Sequence, residues 1–121
     1  MPKFFGKKIL MRIYIGEGDK YGRKPLYEAL IDFFIQEGFA GATVLRGVAG
    51  FGAHSLYHTD KLLRLSNDLP LIIEVVASQE KLDNAMPTID EMMNGGLITT
   101  ETVNVVRYCN KDDNKCVMNE P

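Results

Sequence analysis

Apolar and polar residues alternate over Ile9-Leu10-Met11-Arg12-Ile13-Tyr14-Ile15, which puts Ile9, Met11, Ile13 and Ile15 on one face and Leu10, Arg12 and Tyr14 on the other. This period of two predicts a first strand. Gly16 to Gly22 is a polar, glycine-rich connection, after which the period lengthens. Leu26, Ala29, Leu30, Phe33 and Phe34 recur at helical spacing, predicting a first helix from Pro25 to about Glu37, stopped by Gly38. Pro25 suits the first helical position, where its missing N–H would be unpaired in any case. Tyr27, Ile31 and Ile35 widen the apolar arc and imply contact on a second side.

A second strand is predicted over residues 42–47 and a third over Leu69 to Ala77, where Leu71, Ile73 and Val75 oppose Ile72, Glu74 and Val76. Pro70 implies that this end starts outside the ladder. Ser78 is the expected N-cap of a second helix carrying Leu82, Ala85, Met86, Ile89, Met92 and Met93 and ending at Gly95-Gly96. Pro87 predicts a kink or a late helix start. A fourth strand runs from Leu97 to Tyr108, and the polar, charged stretch from Asn110 to Pro121 reads as a mobile tail. The expected organisation is one domain, residues 1–109, followed by the tail, 110–121.

The order is β-α-β-β-α-β. Right-handed crossovers then favour an α+β, ferredoxin-like sandwich: a four-stranded antiparallel sheet in the order 4-1-3-2 with two helices on one face. The other face would show Leu10, Arg12, Tyr14, Ile72, Glu74 and Val76. That set is too apolar to be left in water and too charged for a monomer core, so self-association is the simplest resolution.

Length and charge narrow the function classes. The 121 residues suit one domain near the size at which oligomerisation helps. Fourteen Lys and Arg against sixteen Asp and Glu give a net charge of −2, so no global basic field points to nucleic acid. No stretch has the length of a signal peptide or a membrane span. The two cysteines, Cys109 and Cys116, fit neither a redox Cys-x-x-Cys nor a zinc knuckle. They read as incidental thiols in a reducing cytoplasm.

The chemistry-bearing stretch is Gly41-Ala42-Thr43-Val44-Leu45-Arg46-Gly47-Val48-Ala49-Gly50-Phe51-Gly52, a β-branched run that breaks into closely spaced glycines. It predicts a strand opening into a backbone cradle, with a bulge and a long hairpin loop as the plainer alternative. Arg46, Lys61 and Arg64 flank it, and Arg107 ends the fourth strand. Surface salt bridging explains each of them singly, whereas together with glycine N–H groups they form a candidate phosphate site. The segment from Ala53 to about Ser66 is expected to be mobile without ligand. His54 and His58, four apart and followed by Asp60, are the alternative metal ligands, in a loop context that weakens them. Nucleophile elbows, phosphate-binding Lys-Ser/Thr loops and a base to partner either cysteine are all missing from the sequence, so an enzyme is not indicated.

Taken together, Gly16-Glu17, Pro25-Leu26-Tyr27-Glu28-Ala29-Leu30, the run from Gly41 to Gly47, Gly50-Phe51-Gly52, Leu63-Arg64-Leu65-Ser66 and Asp68-Leu69-Pro70 resemble the family known as domain of unknown function 190. The resemblance spans the chain except its first few residues and the tail after Tyr108. It implies a subunit of the PII-like superfamily, trimeric, with a ligand cleft between neighbouring subunits. Gly50-Phe51-Gly52 is similar to the root of the T-loop of PII proteins, and Val105-Val106-Arg107 to the end of their last strand, where an Arg meets nucleotide phosphates. The second Arg of that motif falls at Cys109. The loop that carries a phosphate-binding lysine is cut to Asn94-Gly95-Gly96, which favours a nucleotide with fewer than three phosphates.

These features imply a cytoplasmic, non-catalytic PII-like sensor needing no cofactor. AMP or ADP, or another small anion, would bind where the Gly47–Gly52 turn of one subunit meets Gly95, Gly96 and the end of the fourth strand in the next. Arg46, Gly47, Gly50, Phe51, Gly52, Gly95, Gly96 and Arg107 would line the site. The 50s loop would engage or release a partner protein, membrane transporters being common clients of the superfamily. The alternatives are a metal-responsive trimer using His54 and His58, and an RNA-binding sheet using Tyr14 and Tyr108, which the negative charge disfavours.

Overall fold

The structure, a computed structural model, describes residues 5–51 and 69–109 and the backbone of 117–118. Gly52, His54, His58, Cys116 and the expected mobile segment from Ala53 to Ser66 lie outside the described residues. Strand β1 (Gly6–Gly16) leads through two short strands, β2 (Lys20–Tyr21) and β3 (Lys24–Pro25), into helix α1 (Leu26–Gln36). Strands β4 (Ala42–Arg46) and β5 (Pro70–Ala77), helix α2 (Gln79–Met92) and strand β6 (Leu97–Val105) follow. The main sheet has the order β4-β5-β1-β6, with every neighbouring pair antiparallel. In the order of the four long strands this is the expected 4-1-3-2, so the fold is the ferredoxin-like α+β sandwich.

Alternation in the central strands creates the core. Met11, Ile13 and Ile15 of β1 and Leu71, Ile73, Val75 and Ala77 of β5 are buried beneath the helices. Those helices contribute Leu26, Ala29, Leu30 and Phe34 from α1 and Leu82, Ala85, Ile89 and Met92 from α2. Ile35, which the apolar arc of α1 suggested was covered, is 70% exposed. The C-terminal end of α1 is tied to α2 by Lys81, whose Nζ donates to the Gly38 carbonyl at 2.8 Å and sits 5.2 Å from the centre of the Phe39 ring. Phe39 in turn meets Phe34 edge-on at 4.8 Å.

Several sequence expectations need correction. Pro25 is the N-cap of α1 and pairs in β3 rather than opening the helix. Ser78 caps α2 as expected, its Oγ accepting from the Lys81 N–H at 3.1 Å, but the helix runs unbroken through Pro87. The fourth strand stops at Val105 instead of Tyr108. After Val106, Arg107–Tyr108 (β7) pairs antiparallel with Val117–Met118 (β8), while the rest of the expected tail, 110–116 and 119–121, lies outside the described residues. Cys109 is disulfide-bonded, not an incidental thiol. Cys109 directly follows β7, whose pairing with β8 is a long-range contact that the spacing of the cysteines does not announce.

Gly96 locks the turn between α2 and β6. Its φ is +99°, and a Cβ there would sit 2.5 Å from the Tyr14 carbonyl oxygen. Gly41 has neither restriction, with nothing within 4 Å of an added Cβ. Gly96→Ala should therefore lose about 1–3 kcal/mol in chemical denaturation, on the scale of a strained backbone position, while Gly41→Ala stays within about 0.5 kcal/mol. Equal midpoints for the two variants would contradict this reading of the turn.

Candidate functional site

The antiparallel registers sort the sequence-predicted site residues to two ends of the sheet. Tyr14 pairs with Leu97, Gly16 with Pro70, and Arg46 with Leu71. The Gly47–Phe51 turn, the Gly16–Asp19 turn and Gly95-Gly96 therefore share one end. Gly6 pairs with Val105 and Ala42 with Val75, so Arg107 lies at the other end. A nine-residue β6 at about 3.3 Å per residue keeps Gly96 and Arg107 roughly 30 Å apart. They cannot meet one phosphate group in a single copy, and they do not lie side by side as the sequence reading had them.

At the loop end, backbone bonds hold the turns. The Gly47 N–H donates to the Pro70 carbonyl at 2.7 Å, and the Glu17 N–H to the Leu69 carbonyl at 2.8 Å. A Cβ on Gly47 would approach Pro70 Cγ to 2.7 Å, so this glycine is required by packing, and its amide is already used within the chain. Arg46 forms an ion pair with Glu17 across the same end, its side chain 61% exposed against 22% for the carboxylate. The pair connects the strand before the loop to the turn after β1, a contact between residues 29 positions apart that no local pattern announces. Val48 and Phe51 are 95% and 75% exposed, giving the root of the loop an apolar surface. Gly95 lines a cavity of about 290 Å³ with Asp19, Lys20, Leu26 and Asn94.

The opposite end carries a larger cavity, about 390 Å³, between the start of β4 and the β7–β8 ribbon. Leu10, Val76 and Val105 give it an apolar floor, and Glu74, Arg107 and Tyr108 add polar groups. The Tyr108 hydroxyl donates to the Ala40 carbonyl at 3.2 Å, fixing the ribbon to the chain entering β4. Arg107 is exposed, and among the described residues it has no ion-pair partner.

Between these ends, the helix-free face of the sheet carries an ion triad. Arg12 Nε donates to Glu74 at 2.9 Å, and a second guanidinium nitrogen donates to Glu101 at 2.5 Å. Hydrogen bonds that Arg12 donates to Glu101 and Glu74 push its pKa above the ordinary value, so the guanidinium stays charged. Around the triad lie the half-buried Leu10, Tyr14, Ile72 and Val76, together with the more exposed Leu45 and Leu97. This is the mixed apolar and charged face expected from the sequence. Among the described residues no group of three His, Cys, Asp or Glu side chains could hold a metal, and no helix is long and apolar enough to cross a membrane.

A four-stranded antiparallel sheet of this order, backed by two helices, is a fold shared with known proteins. Solved structures of CPII from Thiomonas intermedia, a PII-like protein described as nitrogen regulatory, superpose with TM-scores of 0.53 and 0.54 at 18% identity, covering 82% of this chain and 88% of theirs. At the family level, the model for domain of unknown function 190, described as "Uncharacterized ACR", matches residues 8–105. A UPF0166 protein of Aquifex aeolicus is 36% identical over 100 residues, 83% of this chain and 94% of the relative. Another from Methanocaldococcus jannaschii is 37% identical over 93 residues, 76% of this chain and 85% of its own length. The chain belongs to the domain of unknown function 190 family, and it shares the fold of the PII-like protein CPII.

Proposed function

We propose that this protein is a non-catalytic, cytoplasmic PII-like sensor that binds AMP or ADP in clefts between the copies of a trimer. The observation that carries the reading is the separation of the candidate phosphate groups. The loop root with Arg46, Gly50, Phe51, Gly95 and Gly96 lies at one end of the sheet, and Arg107 at the other. An anion site using both needs two copies, with Arg107 supplied by a neighbour of the one that supplies the glycine turns. An exposed guanidinium without a partner among the described residues is suited to phosphate, which it can meet through two parallel N–H donors. The structures of CPII were solved with ADP, with AMP and ADP together, and with bicarbonate or acetate, which supports an adenine nucleotide as the ligand class.

The helix-free face supplies the means of assembly. Its apolar residues stabilise association once covered, and the Arg12–Glu74–Glu101 triad enters the interface already paired, so that no lone charge is desolvated. The loop root exposes Val48 and Phe51, and the segment that follows is the proposed contact for a partner protein, a membrane transporter being the class of client proposed. Nucleotide bound at its root would bias that segment toward one conformation.

Two outcomes are expected. Titration calorimetry should detect ADP or AMP, and Arg107→Ala should weaken binding about ten- to hundredfold, the 1.5–3 kcal/mol of a hydrogen bond to a charged group, with unchanged circular dichroism. Undetectable binding at millimolar nucleotide, or equal affinity in the variant, would overturn the site. Light scattering should give a trimer at micromolar concentration, with Glu74→Ala dissociating more readily because Arg12 loses one of its partners. A wild-type monomer would remove the basis for a shared cleft.

A further inference from the structure

The turn after α2 shares a cavity with the β2–β3 hairpin, an element the nucleotide reading leaves unused. Two backbone bonds close the base of that hairpin: the Leu26 N–H donates to the Asp19 carbonyl at 2.8 Å, and the Asp19 N–H to the Gly16 carbonyl at 3.2 Å. Lys20 follows directly and pairs with Pro25, so its backbone is fixed relative to the start of α1. From there it lines the cavity of about 290 Å³ with Asp19, Leu26, Asn94 and Gly95. Leu26 is buried and gives this cavity an apolar back, while Lys20 and Asn94 are exposed at its open side.

The lining is suited to a tethered anion. Arg46, the cation at the loop root, is engaged by Glu17, whereas Lys20 has no ion-pair partner among the described residues. An ammonium brings three N–H donors and a full charge. The Gly95 N–H, which makes no hydrogen bond among the described residues, is a further donor. Asp19 is the opposing charge. Its Oδ2 accepts from the Gly16 N–H at 3.0 Å, and its carboxylate repels a free anion entering beside it. Free phosphate is therefore a poor occupant. A phosphoryl group held there by the rest of its molecule has an effective concentration that offsets the repulsion.

We infer that Lys20 is a specificity residue that holds the second phosphoryl group of a bound nucleoside diphosphate in this cavity, so that the protein distinguishes ADP from AMP. This role rests on the proposed nucleotide site, because Gly95 belongs both to that site and to the cavity. One phosphoryl group meets the loop root and Arg107 of a neighbouring copy. A second, extending past Gly95, enters the cavity and meets Lys20. The volume admits it together with a few waters, each taking about 30 Å³. ADP thus touches the hairpin, and AMP does not.

Calorimetric titration of the full chain with ADP, AMP and inorganic phosphate tests this, comparing wild type with Lys20→Gln and Lys20→Arg. Wild type should bind ADP about tenfold more tightly than AMP, with no measurable binding of phosphate alone at the concentration that saturates with ADP. Lys20→Gln should lose about tenfold in ADP affinity and keep its AMP affinity, whereas Lys20→Arg, which retains the charge, should keep the preference. Circular dichroism should be the same in all three, since Lys20 is exposed. Nucleotide binding by wild type without an ADP preference, a Lys20→Gln variant that keeps the preference, or one that weakens ADP and AMP equally would overturn the role of Lys20 without touching the nucleotide site. Phosphate bound as tightly as ADP would make the cavity a free-phosphate site and overturn it too. Wild type that binds neither nucleotide would instead overturn the proposed function, and this role with it.

Discussion

Strict alternation along β1 and β5 is the constraint on which the rest of the molecule depends. The register pairs Arg12 with Glu74 and Ile13 with Ile73, so one face of the central pair is wholly apolar and the other is centred on an ion pair. A slip of either strand by one residue would carry its charge beneath the helices, where no buried polar or charged residue is found among the described residues. The apolar face seats both helices. The charged face stays uncovered in a single copy, and the same register sets which turns gather at which end.

The two ends differ in chemistry because they differ in what closes them. At the loop end the Gly47 amide, the Glu17 amide and the Arg46–Glu17 ion pair are all used in holding turns together, leaving exposed apolar side chains at Val48 and Phe51. The other end keeps an exposed guanidinium at Arg107 beside an apolar-floored cavity. Joining the ends of different copies combines a rigid glycine-lined turn with an available cation. In the proposed trimer, such complementarity is what a heterologous contact repeated around a three-fold axis would provide.

Much of this was legible in the sequence, since it followed from periodicity and from punctuation by glycine and proline. Ile9 to Ile15 and Leu71 to Ala77 alternate too regularly for any other assignment, and Ser78 and Gly38 bracket the helices by their capping chemistry. What escaped depends on long-range contact. The sequence allows Arg46 either a surface salt bridge or an anion, and only the fold names Glu17 as its ion-pair partner. Gly47 reads as a backbone donor until its amide is found bonded to Pro70. The polar tail gives no local reason to pair with Arg107–Tyr108, because a two-residue ladder has no periodicity to detect. The Arg107 position was misjudged for a related cause: strand direction determines that it ends up far from Gly96, and one-dimensional proximity to the end of a strand does not say which end.

The claim that most needs a direct test is that one ligand site is built from two copies. Arg46→Ala and Arg107→Ala alter opposite ends of the sheet, and each variant alone should bind nucleotide weakly. When the two are unfolded together, refolded as mixed trimers and titrated with ADP, about a quarter of the sites should regain wild-type affinity, because a random three-fold assembly places an intact Arg46 end next to an intact Arg107 end with that frequency. No recovery on mixing would mean that both residues act within a single copy, or that neither touches the nucleotide, and would contradict the shared cleft.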